Sequence, residues 1–261
     1  MTWGMLFDST KCIGCGACSA ACKEQNSLPT KIEARTTAYT WTVVEQHDGA
    51  RVRRLCMHCL TPTCVSVCPV GAMMKTKAGP VYYEPDLCIG CRYCVMACPF
   101  SVPKYQWDQL LPVVGKCVMC APRVAAGKAT ACATVCPTGA TQFGERDALI
   151  REARERIAGE PSRYVDRVYG LEEAGGTSVL MLAGTGTSFA SLGLPENLPH
   201  EPLPLLTWRV ISHLPDVISV AAVGLFGIHW ITERRAEVQA AEGGGEQRKP
   251  EKPARRGRTG P

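Results

Sequence analysis

No glycine-rich fingerprint for a nicotinamide or flavin cofactor occurs in this 261-residue chain, and no Ser/His/Asp-type catalytic grouping stands out. Both absences argue against a polypeptide that binds and transforms its own substrate. Aromatic residues make up 7% of the sequence and nowhere interleave with a basic stripe, which removes the usual nucleic-acid surface. The net charge of +5 is mostly local, because Glu233 to Pro261 hold eight Lys and Arg against five Glu. The remainder is close to balanced. No cysteine follows Cys136.

What the chain has instead is cysteine confined to one region. All sixteen fall between Cys12 and Cys136 and sort into four groups: Cys12, Cys15, Cys18 and Cys22; Cys56, Cys59, Cys64 and Cys68; Cys88, Cys91, Cys94 and Cys98; Cys117, Cys120, Cys132 and Cys136. The first and third carry the C-x2-C-x2-C-x3-C run of bacterial two-cluster ferredoxins, in which the fourth thiolate ligates the neighbouring cluster. The other two are the same run with a loop let in, Leu-Thr-Pro-Thr between Cys59 and Cys64 and a longer insert between Cys120 and Cys132. Soft thiolates suit iron–sulfur clusters, and close spacing lets a short loop wrap a cube-shaped core. Gly14, Gly16 and Gly90 fit such wrapping, since glycine tolerates positive φ.

Structural zinc also uses paired C-x2-C knuckles but requires neither the third cysteine nor a fourth followed by proline. A disulfide framework is disfavoured because the cysteines within a group stand too close to pair sensibly. Scattered core thiols do not explain a four-fold repetition. His58, inside Cys-Met-His-Cys, invites a ligand reading, yet Cys56, Cys59 and Cys64 already complete the pattern. The repetition extends further: Lys11-Cys12-Ile13-Gly14-Cys15 recurs as Leu87-Cys88-Ile89-Gly90-Cys91, and Cys68-Pro69-Val70-Gly71-Ala72 as Cys136-Pro137-Thr138-Gly139-Ala140. That A-B-A′-B′ order is what two fused ferredoxin-like modules would give. The expected fold is α+β with short elements, duplicated two-cluster modules, and a short strand at Val81-Tyr82-Tyr83 after Gly79-Pro80. Spacing alone leaves open which groups share clusters.

With these motifs the chain resembles the four-cluster ferredoxin subunit of membrane-bound oxidoreductases, the β-subunit family of formate dehydrogenase-N and the hydrogenase-2 iron–sulfur subunit. The resemblance covers the cysteine region and continues through Gly175-Gly176-Thr177-Ser178-Val179-Leu180 to an apolar segment near the C-terminus. It implies four [4Fe–4S] clusters in a nested arrangement. One takes Cys12, Cys15, Cys18 and Cys136; a second takes Cys56, Cys59, Cys64 and Cys98; a third takes Cys88, Cys91, Cys94 and Cys68; a fourth takes Cys117, Cys120, Cys132 and Cys22. Lys23 departs from the pattern by standing where the other groups carry proline. Lys11, Arg92, Lys104 and Lys116, beside the clusters, either favour the reduced forms or are simply solvated.

Beyond the clusters, Asp147 to Ala158 reads as an amphipathic helix with Leu149, Ile150, Ala153 and Ile157 on one side and Gly159 as its stop. Glu160 to Pro204 reads as a wrapping segment with a short strand, Val179 to Leu182. Sixteen uncharged residues, Val217 to Thr232, follow Pro215 and carry Trp230 near their end, which predicts one transmembrane helix. Arg209 and His213 then sit at the outer interface, and His229, late in the helix, reads as structural. The expected domains are 1–146 for the clusters, 147–204 for a peripheral helix and wrapping segment, 205–235 for the anchor and 236–261 for a disordered basic tail.

Arg234, Arg235, Arg248, Lys249 and Lys252 closely follow the helix, so the positive-inside rule puts the C-terminus in the cytoplasm and the clusters on the periplasmic face of an inner membrane, single-pass. Met1 to Lys11 contain neither a twin-arginine pair nor an apolar signal region, so co-export with a signal-bearing catalytic partner is expected, which points to the formate dehydrogenase type. The resulting expectation is a non-catalytic electron-transfer subunit. It links a catalytic large subunit, a molybdopterin formate dehydrogenase, to a membrane cytochrome b or quinone-reactive subunit. The alternatives are a [NiFe] hydrogenase-2-type complex, another molybdenum or polysulfide-type reductase, and a free-standing ferredoxin-like carrier.

Overall fold

Successive side chains of a strand point to opposite faces, and in Trp3–Asp8 both faces are buried. That strand consequently lies between two apolar layers. The computed structural model describes residues 2–242. In chain order they form β1 (Trp3–Asp8), α1 (Ala17–Gln25), β2 (Val43–His47), β3 (Ala50–Arg54), α2 (Thr63–Ser66), β4 (Met73–Lys75), β5 (Val81–Tyr83), α3 (Tyr93–Ala97), β6 (Lys104–Tyr105), β7 (Val114–Gly115), α4 (Ala121–Ala125), α5 (Ala131–Thr134), β8 (Thr141–Glu145), α6 (Arg146–Gly159), β9 (Val179–Leu182), α7 (Leu203–Ile211) and α8 (Leu214–Glu242).

The central sheet has the order β8-β1-β9. β8 runs antiparallel to β1 with Trp3 opposite Glu145 and Phe7 opposite Thr141, and β9 runs parallel to it with Met5 opposite Val179. Met5, Phe7, Val179 and Met181 project into a core shared with Cys18, Cys56, Cys117 and Cys132. Leu6, Leu180 and Leu182 project the other way and pack on Leu149, Ala153 and Ile157 of α6. Those three recur every four residues and form the apolar stripe of the helix. Burying each large aliphatic side chain contributes about 1.5–3 kcal/mol. β2–β3, β4–β5 and β6–β7 are separate antiparallel hairpins, the first turned by Asp48-Gly49, both at positive φ as a two-residue hairpin requires.

The expected strand at Val81–Tyr83 and helix over 147–158 both occur, but residues 147–204 are not peripheral. β9 completes the central sheet, and Tyr169, Phe189, Leu192 and Leu194 are buried in the cluster-side core. A strand that can only satisfy its backbone groups beside β1 belongs to the same body as β1. The described residues accordingly divide at a later point, one unit ending with Thr207 and the other beginning with Trp208.

The helical segment Leu203–Glu242, which begins at the end of the first unit and makes up the described part of the second, is long and apolar enough to cross a membrane. At 1.5 Å per residue the 29 residues of α8 extend about 43 Å, more than the ~30 Å of a hydrocarbon core. Val217, Ile218, Val220, Val223, Leu225, Phe226 and Ile228 are all exposed, so α8 is apolar on every side and not a buried helix of this chain. The described residues remain helical through 236–242, where the expected tail begins, in keeping with the helix propensity of Ala, Glu and Gln. The rest of that tail, 243–261, lies outside the described residues.

On the α6 side one charge is fully buried. Asp8 accepts hydrogen bonds from Arg156 Nη1 at 3.0 Å, Tyr164 Oη at 2.9 Å, and the Thr10 N–H and hydroxyl at 3.0 and 2.7 Å. Removing one partner from a buried ion pair costs roughly 3–5 kcal/mol. Arg156→Ala is expected to lower the free energy of unfolding, read from denaturant titration, by an amount in that range, with Arg156→Lys less damaging.

Candidate metal centres

The four cysteine groups share one loop geometry. In each, the first thiol accepts a hydrogen bond from the backbone N–H two residues on: Cys12 from Gly14, Cys56 from His58 at 3.5 Å, Cys88 from Gly90 at 3.4 Å and Cys117 from Met119 at 3.4 Å. That second residue has positive φ every time, 75° at Gly14, 49° at His58, 69° at Gly90 and 52° at Met119. Glycine adopts this conformation freely, whereas His58 and Met119 do so at a cost of about 1–2 kcal/mol each. The third cysteine of each group then lies on a short helix, Cys18 on α1, Cys64 on α2, Cys94 on α3 and Cys132 on α5. The fourth follows four residues later, inside α1 for Cys22 and just past the helix end for Cys68, Cys98 and Cys136.

These loops surround three small pockets. Cys12, Cys15, Cys18 and Cys136 line one; Cys22, Cys117, Cys120 and Cys132 line another; Cys68, Cys88, Cys91 and Cys94 line the third. Cys59 lies within electrostatic range of Cys56, Cys64 and Cys98, which gathers the remaining four thiols. Among the described residues no three His, Cys, Asp or Glu side chains converge tightly enough for a single ion. Zinc thiolates would stand only about 3.8 Å apart given a 2.3 Å bond, so thiols spread around a cavity suit a larger inorganic core.

Charge supports the same fit. Burial and then neighbouring thiolates push the Cys22 and Cys64 thiols up to about 12 and Cys94 to about 11. Sets of this kind ionise only when positive charge enters among them, as iron does. Cys132 goes the other way: burial raises it, but the Arg53 guanidinium and the Thr130 hydroxyl outweigh that and lower its pKa. At Cys136 burial is likewise overcome, here by backbone N–H groups including that of Thr141 at 3.4 Å.

Three cations are placed among the thiols. Arg53, 1% exposed, borders both the Cys12 and the Cys117 cavities and spends its donors on the Thr42 and Thr141 hydroxyls at 3.0 and 3.3 Å. Burial would lower its pKa, and the thiolates of Cys132, Cys18 and Cys117 reverse that and hold it above the ordinary value. Lys116 is buried and donates to the carbonyls of Val81 and Cys117. Half-buried Lys75 donates to those of His58, Cys59 and Gly79 at 3.3, 2.8 and 2.6 Å. Among the described residues none of the three has a carboxylate at ion-pair distance. A buried cation without a counter-charge is costly, and the thiolate sets are the counter-charge at hand. Arg92 serves the Cys88 cavity, which it lines while stacking on Tyr105 and Trp107.

Of the basic residues singled out from the sequence, Lys116 and Arg92 thus face thiol sets, whereas Lys11 and Lys104 are only half-buried. Lys23, the residue in the proline position, is buried and donates to the Tyr39 carbonyl at 2.8 Å. Arg53 and Lys75 were not singled out. Arg53 stands in the run Arg51-Val52-Arg53-Arg54, and only strand alternation, with Val52 also buried, could have raised the question of which arginine turns inward. His58 is fully buried and accepts the Val81 N–H at Nδ1, 2.9 Å. Burial, Lys116 and Lys75 push its pKa well below the ordinary imidazole value.

Comparison with known proteins agrees with this geometry. The family description "4Fe-4S dicluster domain" matches residues 11–72 and, in a second form, residues 48–146. A protein of Nitratidesulfovibrio vulgaris is 40% identical over 259 residues, spanning 92% of this chain and 70% of that protein. The hydrogenase-2 operon protein HybA of Shigella flexneri is 35% identical over 240 residues, 74% of this chain and 73% of its own length. A formate dehydrogenase iron-sulfur subunit of Haemophilus influenzae is 34% identical over 242 residues, 84% of this chain and 76% of its own length.

Folding and metal loading are expected to be inseparable. Stripping the protein with an iron chelator under reducing conditions should abolish cooperative unfolding and expose dye-binding apolar surface, and iron with sulfide should restore both. A stripped chain that still unfolds cooperatively at the original midpoint would contradict this.

Proposed function

Because this chain belongs to the family of iron–sulfur subunits that includes the hydrogenase-2 and formate dehydrogenase types, we propose that it carries electrons through four [4Fe–4S] clusters between a catalytic subunit and a membrane subunit. The observation that carries this reading is the convergence of sixteen thiols into four sets with buried cations and no carboxylates beside them. Cys12, Cys15, Cys18 and Cys136 hold one cluster, and Cys117, Cys120, Cys132 and Cys22 its neighbour. Cys56, Cys59, Cys64 and Cys98 hold the third, and Cys88, Cys91, Cys94 and Cys68 the fourth. When bound, such clusters accept and release single electrons without proton or group transfer.

The protein's own part is to hold, insulate and neutralise. Met5, Phe7, Met57, Val179 and Met181 keep water away from the thiol sets, which preserves the strength of every charge–charge interaction there. Arg53 lies between the outer two sets, so its charge favours the reduced, more negative state of both. Ile89, Met96, Trp107 and Leu110 are left exposed beside the Cys88 loop and offer a surface to a partner subunit.

Leu203–Glu242 is the single-pass anchor, with the body ending at Thr207 on the periplasmic side of the inner membrane and the C-terminus in the cytoplasm, as Arg234 and Arg235 directly after the apolar stretch require. The partners are a catalytic large subunit, a molybdopterin formate dehydrogenase, and a membrane cytochrome b or quinone-reactive subunit. The similarity to HybA over 240 residues supports a second reading, with a [NiFe] hydrogenase as the large subunit.

Two experiments address these points. In the complex solubilised from membranes, formate added without oxidant should produce the EPR signals of reduced clusters and a quinone analogue should remove them. Reduction by hydrogen alone would establish the second reading, and reduction by neither would overturn both. A reporter fused after Pro261 should be active in the cytoplasm, and activity only in the periplasm would reverse the orientation.

A further inference from the structure

Among the described residues two buried side-chain atoms lack any hydrogen-bond partner, His58 Nε2 and Ser178 Oγ. Both belong to one neighbourhood, because the Ser178 N–H donates to the Met57 and His58 carbonyls at 3.2 and 3.1 Å. The tautomer of His58 is fixed by its other nitrogen. Nδ1 accepts the Val81 N–H at 2.9 Å, so Nδ1 carries no proton and the ring's proton is on Nε2. A fully buried N–H donor is thus left with no acceptor from the protein, an arrangement that calls for an explanation.

The neighbouring carbonyls are engaged elsewhere. Those of His58, Cys59 and Gly79 accept from Lys75, and those of Val81 and Cys117 from Lys116. The Ser178 hydroxyl does not bond Nε2 either, and the loop's other acceptors are its thiols, one of which, Cys56 Sγ, already accepts the His58 backbone N–H at 3.5 Å. His58 stands between Cys56 and Cys59 in the loop, and the residue anchoring its ring, Val81, packs in the same core as Cys64 and Cys94. The backbone points the same way. His58 occupies the positive-φ position that glycine holds in the first and third groups, so a side chain is kept where the loop would be less strained without one.

We propose that His58 donates its Nε2–H to a sulfur of the cluster held by Cys56, Cys59, Cys64 and Cys98, and so raises that cluster's reduction potential. The physical basis is that a hydrogen bond to sulfur stabilises the more negative, reduced state. His58 is a positioning and tuning residue, neither a ligand nor a redox group. Lys75 and Lys116 act in the same sense from the carbonyl side.

The proposal rests on the four-cluster reading above, and EPR-monitored redox titration of the intact complex, with iron quantified, separates the two. In His58→Leu one midpoint should fall by a tenfold change in the reduction equilibrium, ~59 mV for a one-electron couple, with the other three unmoved and the iron content unchanged. His58→Gln keeps an N–H donor at a similar reach and should recover most of the shift. After exchange into D2O, the unmodified complex should show a deuteron hyperfine coupling to that cluster that His58→Gln retains and His58→Leu loses. Full iron with four unmoved potentials in His58→Leu, or a His58→Gln variant no closer to the unmodified protein than His58→Leu, overturns the role of His58. Should His58→Leu fail to load iron, absence of the deuteron coupling in the unmodified complex overturns it independently. Low iron in the unmodified complex would instead count against the cluster reading.

Discussion

Thiolate sulfur and buried cations in this protein depend on each other. Arg53 and Lys116 are sealed from water with no carboxylate at ion-pair distance among the described residues, and burial holds thiols such as Cys22, Cys64 and Cys117 neutral until positive charge arrives. Either set alone would be expensive to fold around. Together with iron and sulfide they form a neutralised interior. This is why the loops can lie in a core that also contains Met5, Phe7, Val179 and Met181, and why the apolar core and the metal sites are one structure.

The nested grouping of thiols follows from strand pairing. β1 ends just before Cys12 and β8 begins just after Cys136, and their antiparallel register brings the first and fourth groups to the same end of one sheet. Between Cys68 and Cys88 the chain folds back as the β4–β5 hairpin, which does the same for the second and third groups. The four-residue step from third to fourth cysteine then leads from one thiol set to its neighbour, within α1 for Cys18 and Cys22 and past the helix end in the other three groups.

Much of this was legible in the sequence, for definite reasons. The cysteine runs, the strand at Val81, the helix over 147–158 and the strand at Val179–Leu182 each carry a local signal of spacing, period or punctuation. The division of the chain was not legible. Residues 160–204 are rich in Gly, Pro and Ser and read as a wrapping segment, yet β9 is the parallel partner of β1, a pairing between segments far apart that no local pattern reveals. Helix α8 outlasts its apolar stretch because Ala, Glu and Gln after Arg235 favour helix without being apolar. Arg53 was hidden for a similar reason, since an arginine in a run of arginines turns inward only when a distant set of thiolates awaits it. His58 was noticed as a possible ligand, and the geometry shows instead a ring tied to Val81 with one donor to spare.

The central claim is that the four thiol sets each hold a cubane. Iron and acid-labile sulfide determined per chain on the purified complex, with Mössbauer spectra of iron-57-enriched protein and correction for iron held by the other subunits, test it most directly. The account predicts about sixteen of each per chain, all in tetrahedral sulfur sites. About eight irons per chain, or iron without matching sulfide, would contradict it.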